Sequence, residues 1–181
     1  MSETVFKYAL SFSSSAVAQP PYELDYARLE DGQYAQLFQP KAPSTASSLW
    51  SNFGFSSVIP DGSTIKGIEV RIRRWTSYST VHDTSLKLYL NGSLIGSEYA
   101  SASYWSATPI EEVFGGPTDM WGTTLTRANI IDSTFGVHNV IVGHTDNYAA
   151  PCMDYLKIKV YYTEPRTFTV GNVIRYVKVI S

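Results

Sequence analysis

A single cysteine, Cys152, stands in 181 residues, which excludes an internal disulfide and any metal site built from several thiolates. It precedes a strand-like segment, where a small buried hydrophobe is the expected role and a reactive thiol the alternative. Charge is scarce as well: 14 Lys and Arg against 16 Asp and Glu make up 17% of the chain and leave a net charge of -2. The isoelectric point near 5.9 fits no duplex-DNA binder, which needs a basic face, so nucleic acid is not an expected partner. No apolar run approaches the roughly 18–20 residues of a membrane-crossing helix, and no membrane partner is expected. Ala16-Val17-Ala18 mimics a signal-peptidase site, but residues 8–15 are too short and polar for a signal core. Synthesis in the cytoplasm is therefore the expectation.

Recognisable chemistry is also missing. His82, His138 and His144 lack metalloprotease spacing and have no paired cysteine. Asp83, Asp119, Asp132, Asp146 and Asp154 are scattered, with no calcium-loop pattern. Glu111-Glu112 is adjacent and would splay to opposite faces of a strand, whereas a glycosidase needs two carboxylates across a cleft. No Ser/His/Asp spacing replaces them. An enzyme, a metal site and a cofactor are not expected. Helical period is absent except at residues 128–132, which Thr126 would cap.

What the chain has is period-two alternation. In residues 53–75, after a Phe53-Gly54-Phe55 strand and a Pro60-Asp61-Gly62 turn, Ile68, Val70 and Ile72 point one way and Glu69, Arg71 and Arg73 the other. That is a half-buried strand with a solvated or paired outer face, or a face meeting an acidic neighbour. Leu86, Leu88 and Leu90 repeat the pattern and run into Asn91-Gly92, the strongest short hairpin signal. A third alternation sets Leu156, Ile158, Val160 and Tyr162 against Lys157, Lys159 and Tyr161. Residues 39–48 read as a loop by composition, and residues 98–128 as a long aromatic connection or a short strand between loops.

Seven to ten short strands follow, with almost no helix: an all-β, antiparallel β-sandwich or jelly roll. Residues 25–163 form the sandwich. Residues 1–24, where Phe6, Tyr8, Leu10 and Phe12 alternate, form an N-terminal arm for the domain's own sheet or a neighbour's. Residues 164–181 form a C-terminal hairpin extension around Gly171-Asn172. Its strand is apolar on both faces and must be covered. Val173, Val177 and Val179 are its candidate assembly residues, buried against another chain or against the arm, with a final hairpin of the domain itself as the alternative.

Four fragments in order resemble a β-sandwich domain of tailed-bacteriophage virion structural proteins. They are Asp31-Gly32-Gln33-Tyr34-Ala35, residues 49–72, residues 114–130, and residues 135–163. The resemblance covers about residues 25–163 and implies a virion component made in the host cytoplasm, as a capsid decoration or a tail or fibre appendage. It implies other virion proteins as partners and transfers no catalytic residue. Low charge with 14% aromatics also fits protein–protein surface, and a homo-oligomer, with a trimer favoured, is expected. The rival reading is a carbohydrate-binding module taking a host-surface or other glycan. Trp75, Tyr78, Trp105, Trp121 and Tyr148 are the candidate aromatics for either role; Trp121 sits beside Asp119, and Trp105 in a Ser-rich stretch. Capping of the core or contact between subunits is the alternative to sugar stacking for all five.

Overall fold

The organising strand of the molecule runs Thr64–Thr76 in a computed structural model, which describes residues 1–15, 17–18, 23–38, 44–77, 81–143, 150–170 and 173–176. In chain order the strands are β1 (Ser2–Glu3), β2 (Lys7–Tyr8), β3 (Ser11–Ser14), β4 (Val17–Ala18), β5 (Ala35–Phe38), β6 (Ser44–Ser51), β7 (Thr64–Thr76), β8 (Val81–Leu90) and β9 (Ser93–Ile95). Then follow β10 (Ile110–Gly115), the short helix α1 (Arg127–Ile131), β11 (Gly136–Gly143), β12 (Pro151–Thr163), β13 (Thr167–Val170) and β14 (Val173–Tyr176).

Two antiparallel sheets face each other. Sheet A has the order β10-β7-β12-β5-β4, with β1 and β2 also pairing with β12; sheet B has the order β3-β6-β11-β8-β9. Ile68, Val70 and Ile72 of β7 and Leu156, Ile158 and Val160 of β12 are buried from one side. Trp50, Leu86, Leu88, Val137 and Ile141 meet them from sheet B. The period-two reading of β7, β8 and β12 thus places the core, and the chain is an antiparallel β-sandwich. Asn91 and Gly92 take the positive φ values, 50° and 82°, that a two-residue hairpin requires. Thr126 caps α1 in a reciprocal box with Asn129.

Two local expectations change. Residues 44–48, read as loop, form most of β6, because Ala46 and Ser48 alternate inward with Trp50 while β11 supplies the ladder. Phe53-Gly54-Phe55 is no strand: Gly54 is left-handed (φ 66°) and opens a 3-10 turn over Phe55–Ser57, and both phenylalanines still reach the core. The arm is built into both sheets, with β1 and β2 on β12 and β3 on β6. The tail forms its hairpin, β13 with β14, as a two-stranded sheet of its own. Val173 opens β14, while Val177 and Val179 lie outside the described residues.

Candidate functional site

The two outer faces of the sandwich differ in chemistry. On sheet A, strand alternation turns Glu69, Arg71, Arg73 and Trp75 outward from β7, and Tyr155, Lys157, Lys159 and Tyr161 outward from β12. These ions are paired. Arg71 meets Glu69 at 2.7 Å and Glu111 at 3.0 Å, and Lys157 meets Glu111 at 2.9 Å and Glu30 at 3.0 Å. Burial alone would pull Lys157 down, but its hydrogen bonds to Glu111 and Glu30 outweigh it and hold the amine above the usual lysine value. Burial, then the bond to Glu111, pushes the Tyr155 phenol up to about 12. Phe6 of the arm lies over this face with the charges of Arg71, Lys159 and Lys157 at 4.7, 4.7 and 5.4 Å from its ring centre.

A β-bulge in β12 adds Asp154 between Met153, opposite Arg74, and Tyr155, opposite Arg73. Asp154 is 5% exposed and its carboxylate lies 3.5 Å from Arg73, with one oxygen lacking a hydrogen-bond partner. Burial, only partly offset by Arg73, pushes it up to about 6. Burial likewise pushes the Cys152 thiol up to about 12, so it is a packed hydrophobe and no thiolate at neutral pH.

Between the sheets lies an ionic joint. Arg74 continues the inward series of Ile68, Val70 and Ile72, and its guanidinium grips Asp83 of β8 with two bonds of 2.8 and 2.6 Å while also bonding Glu112. Trp105 and Asn139 donate to the same Asp83 oxygen at 3.2 and 2.9 Å, and the guanidinium sits 4.5 Å above the Trp105 ring.

Sheet B presents the opposite character. Cross-strand register lines up four outward rows: Ser11, Ser51, Gly136 and Tyr89; Ser13, Leu49, His138 and Lys87; Ser47, Val140 and Ser85; Thr45, Val142 and His82. Lys87 is the one lysine, arginine or carboxylate in these rows; Glu98 stands at the margin, bonded to Ser85. Burial lowers His138, which is therefore neutral at pH 7, and its ring stacks on Tyr89. At the other end Tyr104, 57% exposed, stands edge-on to His82 with ring centres 5.6 Å apart. Buried Trp105, whose amide bonds Val81, pins the loop and leaves its neighbour outside.

Of the five aromatics singled out by sequence, Trp105 and Trp121 are buried. Trp121 bonds the Ile68 carbonyl and packs at a tilt against Tyr99, ring centres 4.2 Å apart. Neither turns a flat ring to solvent. Trp75 is half-buried on sheet A, edge-on to Tyr34 at 4.7 Å, and Tyr78 and Tyr148 lie outside the described residues. The structure does not gather the three described tryptophans into one patch. The rings that do stand on an open face are Tyr89 and Tyr104, which no motif marks. Alternation from Val81 to Tyr89 carries the signal for the first; only the fold brings in the second. Among the described residues no group of His, Cys, Asp and Glu is placed to hold a metal ion.

No protein-family model and no curated protein matches the chain. Solved structures do. A CBM4 domain shares 10% identity at a TM-score of 0.48, covering 81% of this chain and 92% of its own. CBM35 from Cellvibrio japonicus Abf62 shares 14% at 0.42, covering 97% of each chain. The N-terminal cellulose-binding domain of Cellulomonas fimi β-1,4-glucanase C shares 10% at 0.46, covering 81% and 86%. Likeness at this identity concerns the fold, and it lends the virion resemblance no support.

Proposed function

We propose that the protein is a non-catalytic binding module that takes a neutral polysaccharide on the outer face of sheet B. The observation carrying this reading is the division of charge: the ion pairs crowd onto sheet A, while sheet B offers hydroxyls, two imidazoles and the rings of Tyr89 and Tyr104 around one lysine. A sugar offers hydroxyls that exchange hydrogen bonds with Ser, Thr and His, and a C–H face that packs on an aromatic ring; it needs no charge. TM-scores below 0.5 leave the argument to the face itself.

A second reading has its own observation. Leu49, Val140 and Val142 form an aliphatic strip in the middle of the same face, as a subunit contact in a virion-type assembly would use. Titration calorimetry and affinity electrophoresis with soluble β-glucan, xylan and galactomannan, plus a cellulose pull-down, test the first. Tyr104→Ala and Tyr89→Ala are each expected to weaken binding roughly tenfold, about 1.4 kcal/mol. No retention on any polysaccharide, together with an oligomer that Leu49→Glu returns to monomer, would replace the glycan reading with the assembly one.

A further inference from the structure

Strand β10 closes sheet A on one side, and among the described residues no strand pairs with its outer edge. Its sequence, Ile110-Glu111-Glu112-Val113-Phe114-Gly115, holds no lysine or proline of the kind that blunts open edges. The two glutamates do not blunt it either. Glu111 is turned onto its own sheet by Arg71, Lys157 and Tyr155, and Glu112 is turned inward by Arg74. What remains on the outer face is Val113, 54% exposed, while Ile110, opposite the inward Arg74, is 40% exposed at the start of the strand.

Backbone parity says which amides are open. Ile68 of β7 directs both its N–H and its C=O to the β10 side, bonding Asp119 and Gly116. The even-numbered residues of β7 therefore face β10, and Val70, Ile72 and Arg74 bond their register partners Phe114, Glu112 and Ile110. The N–H and C=O groups of Glu111 and Val113 must point away, to the open side.

We propose that this edge binds the same edge of a second copy, antiparallel about a two-fold axis through Val113. Opposite residues in an antiparallel pair share a sheet face, so the axis must pass through a residue pair and not between residues. Centring on Glu112 would oppose two glutamates. Centring on Val113 sets Val113 against Val113, Glu112 against Phe114 and Glu111 against Gly115, with every newly bonded amide among those left open. The contact is isologous and closes at two copies rather than three. A two-fold normal to the joined sheet leaves both B sheets on the same side, so both open faces look the same way and can engage one extended ligand together.

Light scattering on the full chain, at concentrations well above the micromolar range, is expected to give twice the monomer mass. Val113→Lys, on an exposed side chain that leaves the core untouched, should return it to monomer without moving the melting curve of the isolated subunit. Val113→Cys should cross-link under mild oxidation, whereas a control Leu94→Cys on the exposed β9 should not; the native Cys152 is buried. A wild-type monomer overturns the pairing, as does a dimer that survives Val113→Lys. A dimer seen only after removal of residues 165–181 would hand the edge to the chain's own tail and also overturn it. None of these readouts depends on polysaccharide, so they fail or succeed separately from the binding reading.

Discussion

Arg74 stands among aliphatic side chains on the inward face of β7, and it ties β7 to β8 where leucine or isoleucine would only pack. A guanidinium taken out of water is costly, and here the cost is offset by a two-pronged bond to Asp83, a third bond to Glu112 and the face of Trp105. Removing one partner is worse than removing both. Arg74→Met, which keeps the bulk, is expected to lose about 3–5 kcal/mol in urea unfolding, since it strands Asp83 between the sheets. Arg74→Met with Asp83→Leu should regain much of that loss. A single variant within about 1 kcal/mol of wild type would show that the joint does not hold the sheets together.

Among the elements, the arm shows how the sandwich is closed along one side. β1 and β2 edge sheet A, β3 edges sheet B, and between the first two Thr4 exchanges backbone and side-chain bonds with Val160. Phe6→Leu keeps apolar bulk but removes the ring quadrupole from three cations. It should cost about 1 kcal/mol in a melt, where loss of area alone would cost little; an unchanged melt would make Phe6 a bystander. Strands β7, β8 and β12 were legible because one face is aliphatic and the other charged in β7 and polar or mixed in β8 and β12, so period two stands out. β6 was not, because Ser and Thr alternate with little contrast in hydropathy and only pairing with β11 decides their state. The inward turn of Arg74 was legible by carrying the alternation two residues past Ile72. The meeting of Tyr104 with His82 was not, since it depends on Trp105 entering the core some twenty residues along the chain.

At the scale of the whole fold, the described residues segregate charge between the two outer faces: carboxylates and cations gather on that of sheet A, and that of sheet B is left almost uncharged. Stability against pH then follows from a few carboxylates. Glu30, bonded by Tyr8 and Lys157, is held below its ordinary value. So are Glu69 and Glu111, where bonds to tyrosine and cations outweigh burial. These contribute stability above about pH 4.5 that is lost on acidification. Asp154 runs the other way. Its carboxyl holds its proton more tightly folded, up to about 6, than unfolded, near 3.8, so the ionised form is a burden at neutral pH that lifts as pH falls through this window. Asp154→Asn removes the charge while keeping the shape. At pH 8 it is expected to be more stable than wild type by about 1–3 kcal/mol, with the advantage shrinking steadily from pH 6 to pH 4. The difference between the two proteins is the quantity to measure, because His138, which burial lowers, is common to both and cancels from it. An advantage that stays level across this range would mean that Asp154 is not the titrating group, and a variant less stable at pH 8 would mean that the ion pair with Arg73 outweighs the burial of the carboxylate.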